Sequence, residues 1–148
     1  MPPLTGEQID TFLCSPVIAR LATVKPDGAP YVVPMWQHWD GESIYMVPRA
    51  RSRFVEYVRL EPRVAVSCAD DLNRDHSRVL IEGNAEILAG PIRMYGRMLE
   101  IAREMAGRYG GESGLRYLEG TIQKPRYLLR VVPTTITTWS AGWHERYG

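Results

Sequence analysis

The chain has 148 residues, 45% hydrophobic and 24% charged, with 18 basic and 17 acidic residues for a net charge of +1. That length fits one domain over residues 1–148, able to bury roughly 68–70% of its unfolded surface without covalent staples. The near-neutral balance provides no global field for nucleic acid or an anionic membrane, so anion binding has to come from local clustering.

The segment Met1–Glu7 lacks the basic-then-apolar pattern of a secretion signal, and no apolar run reaches the roughly 18 residues of a membrane helix. Thr5 and Gln8 have the spacing of a capping box, Ile9, Phe12 and Leu13 follow at helical spacing, and Pro16 stops the helix. Two strands are expected at Val17–Val24 and Tyr31–Gln37, joined by the turn Lys25-Pro26-Asp27-Gly28. Trp39-Asp40-Gly41 signals a hairpin into a strand at Ser43–Val47. From Ser52 to Leu60 the period becomes helical, with Ser52 as N-cap and Pro62 as terminator. Arg63–Ala69 reads as a strand, and Arg78–Leu88 as another with a bulge at Gly83. A helical stripe from Ile92 to Tyr109 ends at Gly110-Gly111, followed by a polar stretch. Tyr127–Val132 and Thr134–Trp139 read as two final strands broken at Pro133.

Short strands joined by tight turns imply an antiparallel sheet, and a small sheet avoids exposed edges by closing. The expected fold is therefore mainly β with helices: a six-stranded antiparallel barrel with two or three helices at its side or ends. Cys14 and Cys68 form no Cys-x-x-Cys pair, which suits a reducing compartment and a cytoplasmic location. His38, His76 and His144 have no metal-ligand spacing with them, so no metal is expected. There is no nucleophile elbow, Walker loop or strand-borne dinucleotide fingerprint.

Three features could carry chemistry. Arg49-Ala50-Arg51-Ser52-Arg53 follows a strand and precedes a helix, where backbone donors and forked guanidinium groups suit a phosphate. Its alternative is a solvated basic face. Val33-Pro34-Met35-Trp36 contains a proline without a ladder donor, so backbone and aromatic surface there could face a planar heterocycle, or form an ordinary edge. The aromatic tail with Trp139 and Trp143 is expected to dock, over a ligand or against a second subunit.

In this order, these features resemble the pyridoxamine 5'-phosphate oxidase-like, FMN-binding split-barrel superfamily. The resemblance rests on Ile18-Ala19-Arg20-Leu21-Ala22-Thr23-Val24, Asp27-Gly28-Ala29-Pro30, Val33-Pro34-Met35-Trp36 and Ile44-Tyr45-Met46 ahead of the basic cluster. It continues in Leu60-Glu61-Pro62-Arg63-Val64-Ala65-Val66 and Val79-Leu80-Ile81-Glu82-Gly83-Asn84-Ala85-Glu86. It implies a homodimer with cofactor sites at the subunit interface. Arg51, Ser52 and Arg53, with Arg49, would meet the cofactor phosphate. Val33, Pro34, Met35 and Trp36 would line the ring, Tyr45, Met46 and Val47 would flank it, and Trp139 or Trp143 would close the pocket from the partner.

The resemblance implies an oxidoreductase passing hydride between bound FMN, or the deazaflavin coenzyme F-420, and a small organic substrate. FMN is the more widespread of the two. A non-catalytic flavin binder and a haem-binding member are the alternatives. Tyr45, His38 and His144 are candidate proton donors. Pyridoxamine phosphate oxidation itself is not expected, because the chain lacks the terminal segment that grips the substrate phosphate and shows one compact arginine cluster, with Arg126 and Arg130 scattered.

Overall fold

The computed structural model describes residues 2–73 and 75–140. Its elements are α1 (Gly6–Leu13), β1 (Ala19–Val24), β2 (Pro30–Met35), β3 (His38–Trp39), β4 (Ile44–Met46), α2 (Phe54–Leu60), β5 (Arg63–Ala69), β6 (Arg78–Ile92), α3 (Gly96–Gly120) and β7 (Arg126–Trp139). The capping box at Thr5 forms: its hydroxyl accepts from Gln8 N at 3.2 Å, and the Gln8 side chain accepts from Thr5 N at 2.9 Å.

Seven strands form one antiparallel sheet in the order β2-β1-β5-β6-β7-β4-β3. This corrects the expected six-stranded closed barrel. The edge strands β2 and β3 do not pair, since β2 carries Pro30 and Pro34 without ladder donors and β3 is only two residues long. Yet Trp36 and Gln37 alone separate these two edges in sequence. Three Cα steps of 3.8 Å span at most about 11 Å, so the sheet curls until its edges nearly meet.

Alternation drives the curl. β1 and β5 bury every second residue, and Leu21, Ile44, Met46, Val66, Ile81, Leu129 and Val131 share the fully buried interior. β4 is buried on both faces, because Tyr45 and Val47 point instead into a second cluster beneath α3. Met98, Ile101, Ala102 and Met105 supply the helical side of that cluster.

Three expected boundaries move. Pro133 does not break the last strand: it lies opposite Gly83 at a register shift, so β7 runs through to Trp139. Glycine is required at that bulge, as a Cβ on Gly83 would stand 2.2 Å from Val132 O. Ser52 does not cap α2. Its N–H closes a turn onto Arg49 O at 2.9 Å, and the seven-residue helix starts from Arg53 without a side-chain cap.

The third change is the largest. Gly111 breaks α3 at φ +56°, as expected of a C-cap, but the polar stretch after it resumes helix through Gly120. Arg103 and Glu119 form an ion pair at 3.6 Å, although 16 residues of continuous helix would span about 24 Å. The two arms of α3 therefore fold back on each other. They touch at Gly114, where a Cβ would stand 2.1 Å from Ala106 O. Among the described residues, no helix is long and apolar enough to cross a membrane.

Candidate functional site

After β4 the chain turns away from the sheet and is pinned to the start of β7. Tyr127 N donates to Pro48 O at 2.9 Å, Ala50 N donates to Pro125 O at 3.1 Å, and Arg49 forms an isolated bridge with Arg126. Two arginines far apart in sequence thus become neighbours.

They line one end of a cavity of about 550 Å³. Pro34, Met35, Trp36 and Val47 form one wall, and Ala102, Met105, Gly114 and Leu118 of the α3 arms form the other. Trp36 is held in place: it stacks on Tyr109 at 5.3 Å and 2°, and meets Tyr117 edge-on at 6.5 Å. Tyr109 in turn donates to Val17 O at 2.6 Å and accepts from Gln37 N at 3.3 Å. Burial pushes the Tyr109 phenol above its ordinary range, so it stays neutral.

At the cationic end, Arg49 donates to the Tyr117 hydroxyl and lies over its ring at 5.3 Å. Arg126 is only 7% exposed, and donates to Val47 O at 3.4 Å and to Thr121 Oγ1 at 2.9 Å. Its Nε has no hydrogen-bond partner among the described residues. Among the described residues, no ion pair includes Arg49 or Arg126, and no carboxylate lines the cavity. Burial opposes ionisation of Tyr117, but hydrogen bonds from Arg49 and Arg126 outweigh it and lower its pKa.

A second groove, of about 540 Å³, holds Lys25, Tyr31, Val33, Arg51, Ser52 and Arg53, again without a carboxylate among the described residues. Ser52 lines both spaces, and β2 runs past both, with Val33 in one and Pro34 and Met35 in the other.

Residues 5–140 match the pyridoxamine 5'-phosphate oxidase family. The chain belongs to this family. No curated protein gives a significant match. Among solved structures, the family fold is shared with the conserved hypothetical protein Rv2991 from Mycobacterium tuberculosis, at 25% identity and a TM-score of 0.75, over 93% of this chain and 85% of that one. An F420 reductase is 26% identical with a TM-score of 0.68, over 86% of this chain and 94% of its own. A FAD-binding protein from Mesorhizobium loti, 21% identical over 95% and 96% of the two chains with a TM-score of 0.68, shows a likeness of fold alone.

The residues singled out by the family resemblance divide between the two spaces. Pro34, Met35, Trp36, Val47 and Arg49 line the apolar cavity, Val33, Arg51 and Arg53 line the basic groove, and Ser52 belongs to both. Tyr45 and Met46 line neither. Tyr45 is buried against α3, with the Arg97 guanidinium over its ring at 5.6 Å, and Met46 is fully buried inside the curl. Trp139 lies at the opposite end of β7 from Arg126, paired with Arg78, whose guanidinium covers its ring at 5.8 Å. Trp143 and His144 fall outside the described residues.

His38 is committed elsewhere. Its Nδ1 lies 2.9 Å from Glu104, which also binds Arg108 at 2.6 Å, and Arg108 reaches Ser15 O at 2.7 Å and Gln37 O. Burial opposes the charge on Glu104, yet hydrogen bonds from Arg108 and His38 hold its pKa below the usual carboxylate range. This network clamps the first arm of α3 onto β3. Cys68 offers no nucleophile, because burial pushes its thiol to about 12.

Sequence reasoning missed Arg126, Tyr117 and the second arm of α3. Arg126 and Arg49 meet only through strand pairing, which no local pattern encodes. The one readable signal was Ser113 and Tyr117, four residues apart and so on one face of a helix, in what was read as a polar stretch after the helix.

Proposed function

We propose that the protein is an oxidoreductase using a flavin or deazaflavin, FMN or coenzyme F-420, to pass hydride to or from a small organic substrate. One observation carries this reading: an apolar, aromatic-walled cavity and a basic groove share Ser52, and β2 runs past both. A flat ring joined to a phosphate has that polarity. The cavity volume is within the roughly 300–1,000 Å³ of small-molecule sites. The F420 reductase and the FAD-binding protein among the structural neighbours support the same cofactor class.

When bound, the flavin or deazaflavin supplies the hydride chemistry. The chain's residues bind and orient. Trp36, Met35 and Met105 give the ring apolar surface, Arg51 and Arg53 neutralise the phosphate, and the α3 arms exclude water. The haem alternative finds no histidine in either space among the described residues. Titration of the purified protein with FMN and with F-420 is expected to perturb the visible spectrum of at least one of them saturably. Silence toward both overturns the reading. Saturable binding without turnover of any reductant–acceptor pair makes it a non-catalytic flavin binder.

The same reading makes the protein a homodimer of one-domain subunits, with Trp139 or Trp143 closing the partner's site. Val32 on the β2 edge is 59% exposed beside the cavity, and Leu88 and Ile136 are also exposed, which favours an apolar subunit contact. Obligate interfaces exceed about 2,000 Å². Sedimentation should therefore show a dimer at micromolar concentration, and a stable folded monomer there refutes it. Two free cysteines, Cys14 and Cys68, fit a reducing, cytoplasmic setting.

A further inference from the structure

Trp36 and Gln37 join two strands that do not pair with each other, so no ladder holds them. Gln37 is fully buried, and its backbone groups need partners from elsewhere. Two consecutive side chains of α3 provide them. The Tyr109 hydroxyl accepts from Gln37 N at 3.3 Å, and Arg108 donates to Gln37 O. The same two residues reach the segment ahead of β1, where Tyr109 donates to Val17 O at 2.6 Å and Arg108 to Ser15 O at 2.7 Å. Gln37 Nε2 adds a bond to Leu13 O at 2.6 Å. With its hydroxyl fixed at two points, Tyr109 presents its ring flat to Trp36, 5.3 Å away at an interplanar angle of 2°. Trp36 is half-buried and lines the cavity, so the plane of its indole is set from α3.

We propose that Tyr109 is a positioning residue for the cofactor ring: it fixes the Trp36 indole in the plane against which a flavin or deazaflavin packs. The inference rests on the cavity being the ring site. Tyr109 is not one of the described lining residues, so it acts only through Trp36. An aromatic wall that is already immobile avoids the ordering cost that a free indole would incur on binding. The indole meets the ring system, which FMN and riboflavin share, so its effect is the same for both.

The test uses the full chain labelled with fluorotryptophan, with the Trp36 ¹⁹F resonance identified by its loss in Trp36→Phe. Tyr109→Leu removes ring and hydroxyl, whereas Tyr109→Phe removes the hydroxyl alone. Both lose the bonds to Val17 and Gln37, so both should melt below the native chain. Only Tyr109→Leu is expected to move the Trp36 resonance of the apo-protein and to weaken the bound cofactor, FMN or F-420, about tenfold. Riboflavin should weaken by the same factor as FMN, and Tyr109→Phe should stay within about twofold of the native chain for each. Should Tyr109→Leu not fold, Tyr109→Met, unbranched and without a ring, takes its place. Equal weakening by the two variants, or none by either, overturns the proposal, and so does a loss confined to FMN with riboflavin unaffected. The two readings fail separately. A native chain that binds cofactor, with variants that bind it as well, ends this inference alone, whereas a native chain that binds neither FMN nor F-420 ends the cofactor reading and this inference with it.

Discussion

The double variant Arg51→Ala/Arg53→Ala is expected to bind FMN about a hundredfold more weakly than the native chain, with each single change contributing about tenfold. Losing a hydrogen bond to a charged group costs roughly 1.5–3 kcal/mol, and about 1.4 kcal/mol is a factor of ten. Both side chains are exposed, so solvent screening places each at the low end of that range. Neither is in an ion pair among the described residues, so the melting temperature of the apo-protein should stay within the few tenths of a kcal/mol typical of surface changes. Riboflavin is the control. It keeps the ring and lacks the phosphate, so its affinity should be the same in both proteins. Unchanged FMN affinity in the double variant would reduce the cluster to a solvated basic face.

Gly114→Ala is expected to be the most damaging single methyl addition in α3. The new Cβ would stand 2.1 Å from Ala106 O, a backbone atom that cannot rotate away, so the two arms must separate. Overpacking typically costs about 1–3 kcal/mol, occasionally more, and a clash with backbone belongs at the upper end. For a chain of this size each kcal/mol moves the melting temperature by about 2–4 °C, which predicts a fall of about 6–12 °C in a thermal scan. Because Gly114 and Leu118 line the cavity, cofactor affinity should fall with it. Gly120→Ala, in open space at the end of the same helix, should instead be neutral or stabilising by about 0.5–1 kcal/mol. Equal melting of Gly114→Ala and the native chain would mean that the arms are not packed as described.

Much of the local structure was readable because its causes are local. The turn at Lys25-Pro26-Asp27-Gly28 closes through Gly28 N to Lys25 O at 2.9 Å, with Gly28 at φ +86°. The hairpin at Trp39-Asp40-Gly41 has Gly41 at φ +96°, and the Asp40 side chain accepts from Glu42 N and Ser43 N. Capping at Thr5, the bulge at Gly83 and the helix break at Gly111 likewise depend on a few neighbouring residues. The basic run and the Pro34–Trp36 segment were also visible, and both reach the proposed site.

What the sequence by itself determined, then, was the strand-and-turn order, the family and the two segments that flank the site. Those properties follow from backbone preferences and alternation over a few residues. Only the tertiary structure decided that β7 passes unbroken through Pro133, because a bulge on β6, fifty residues earlier, sits opposite it. It alone decided that α3 doubles back, because the fold of that helix depends on Gly114 meeting Ala106 across the break. And it alone paired Arg126 with Arg49, since the charge of a cavity is the sum of side chains that strand register brings together, and register between distant segments is set by the packing of the whole sheet.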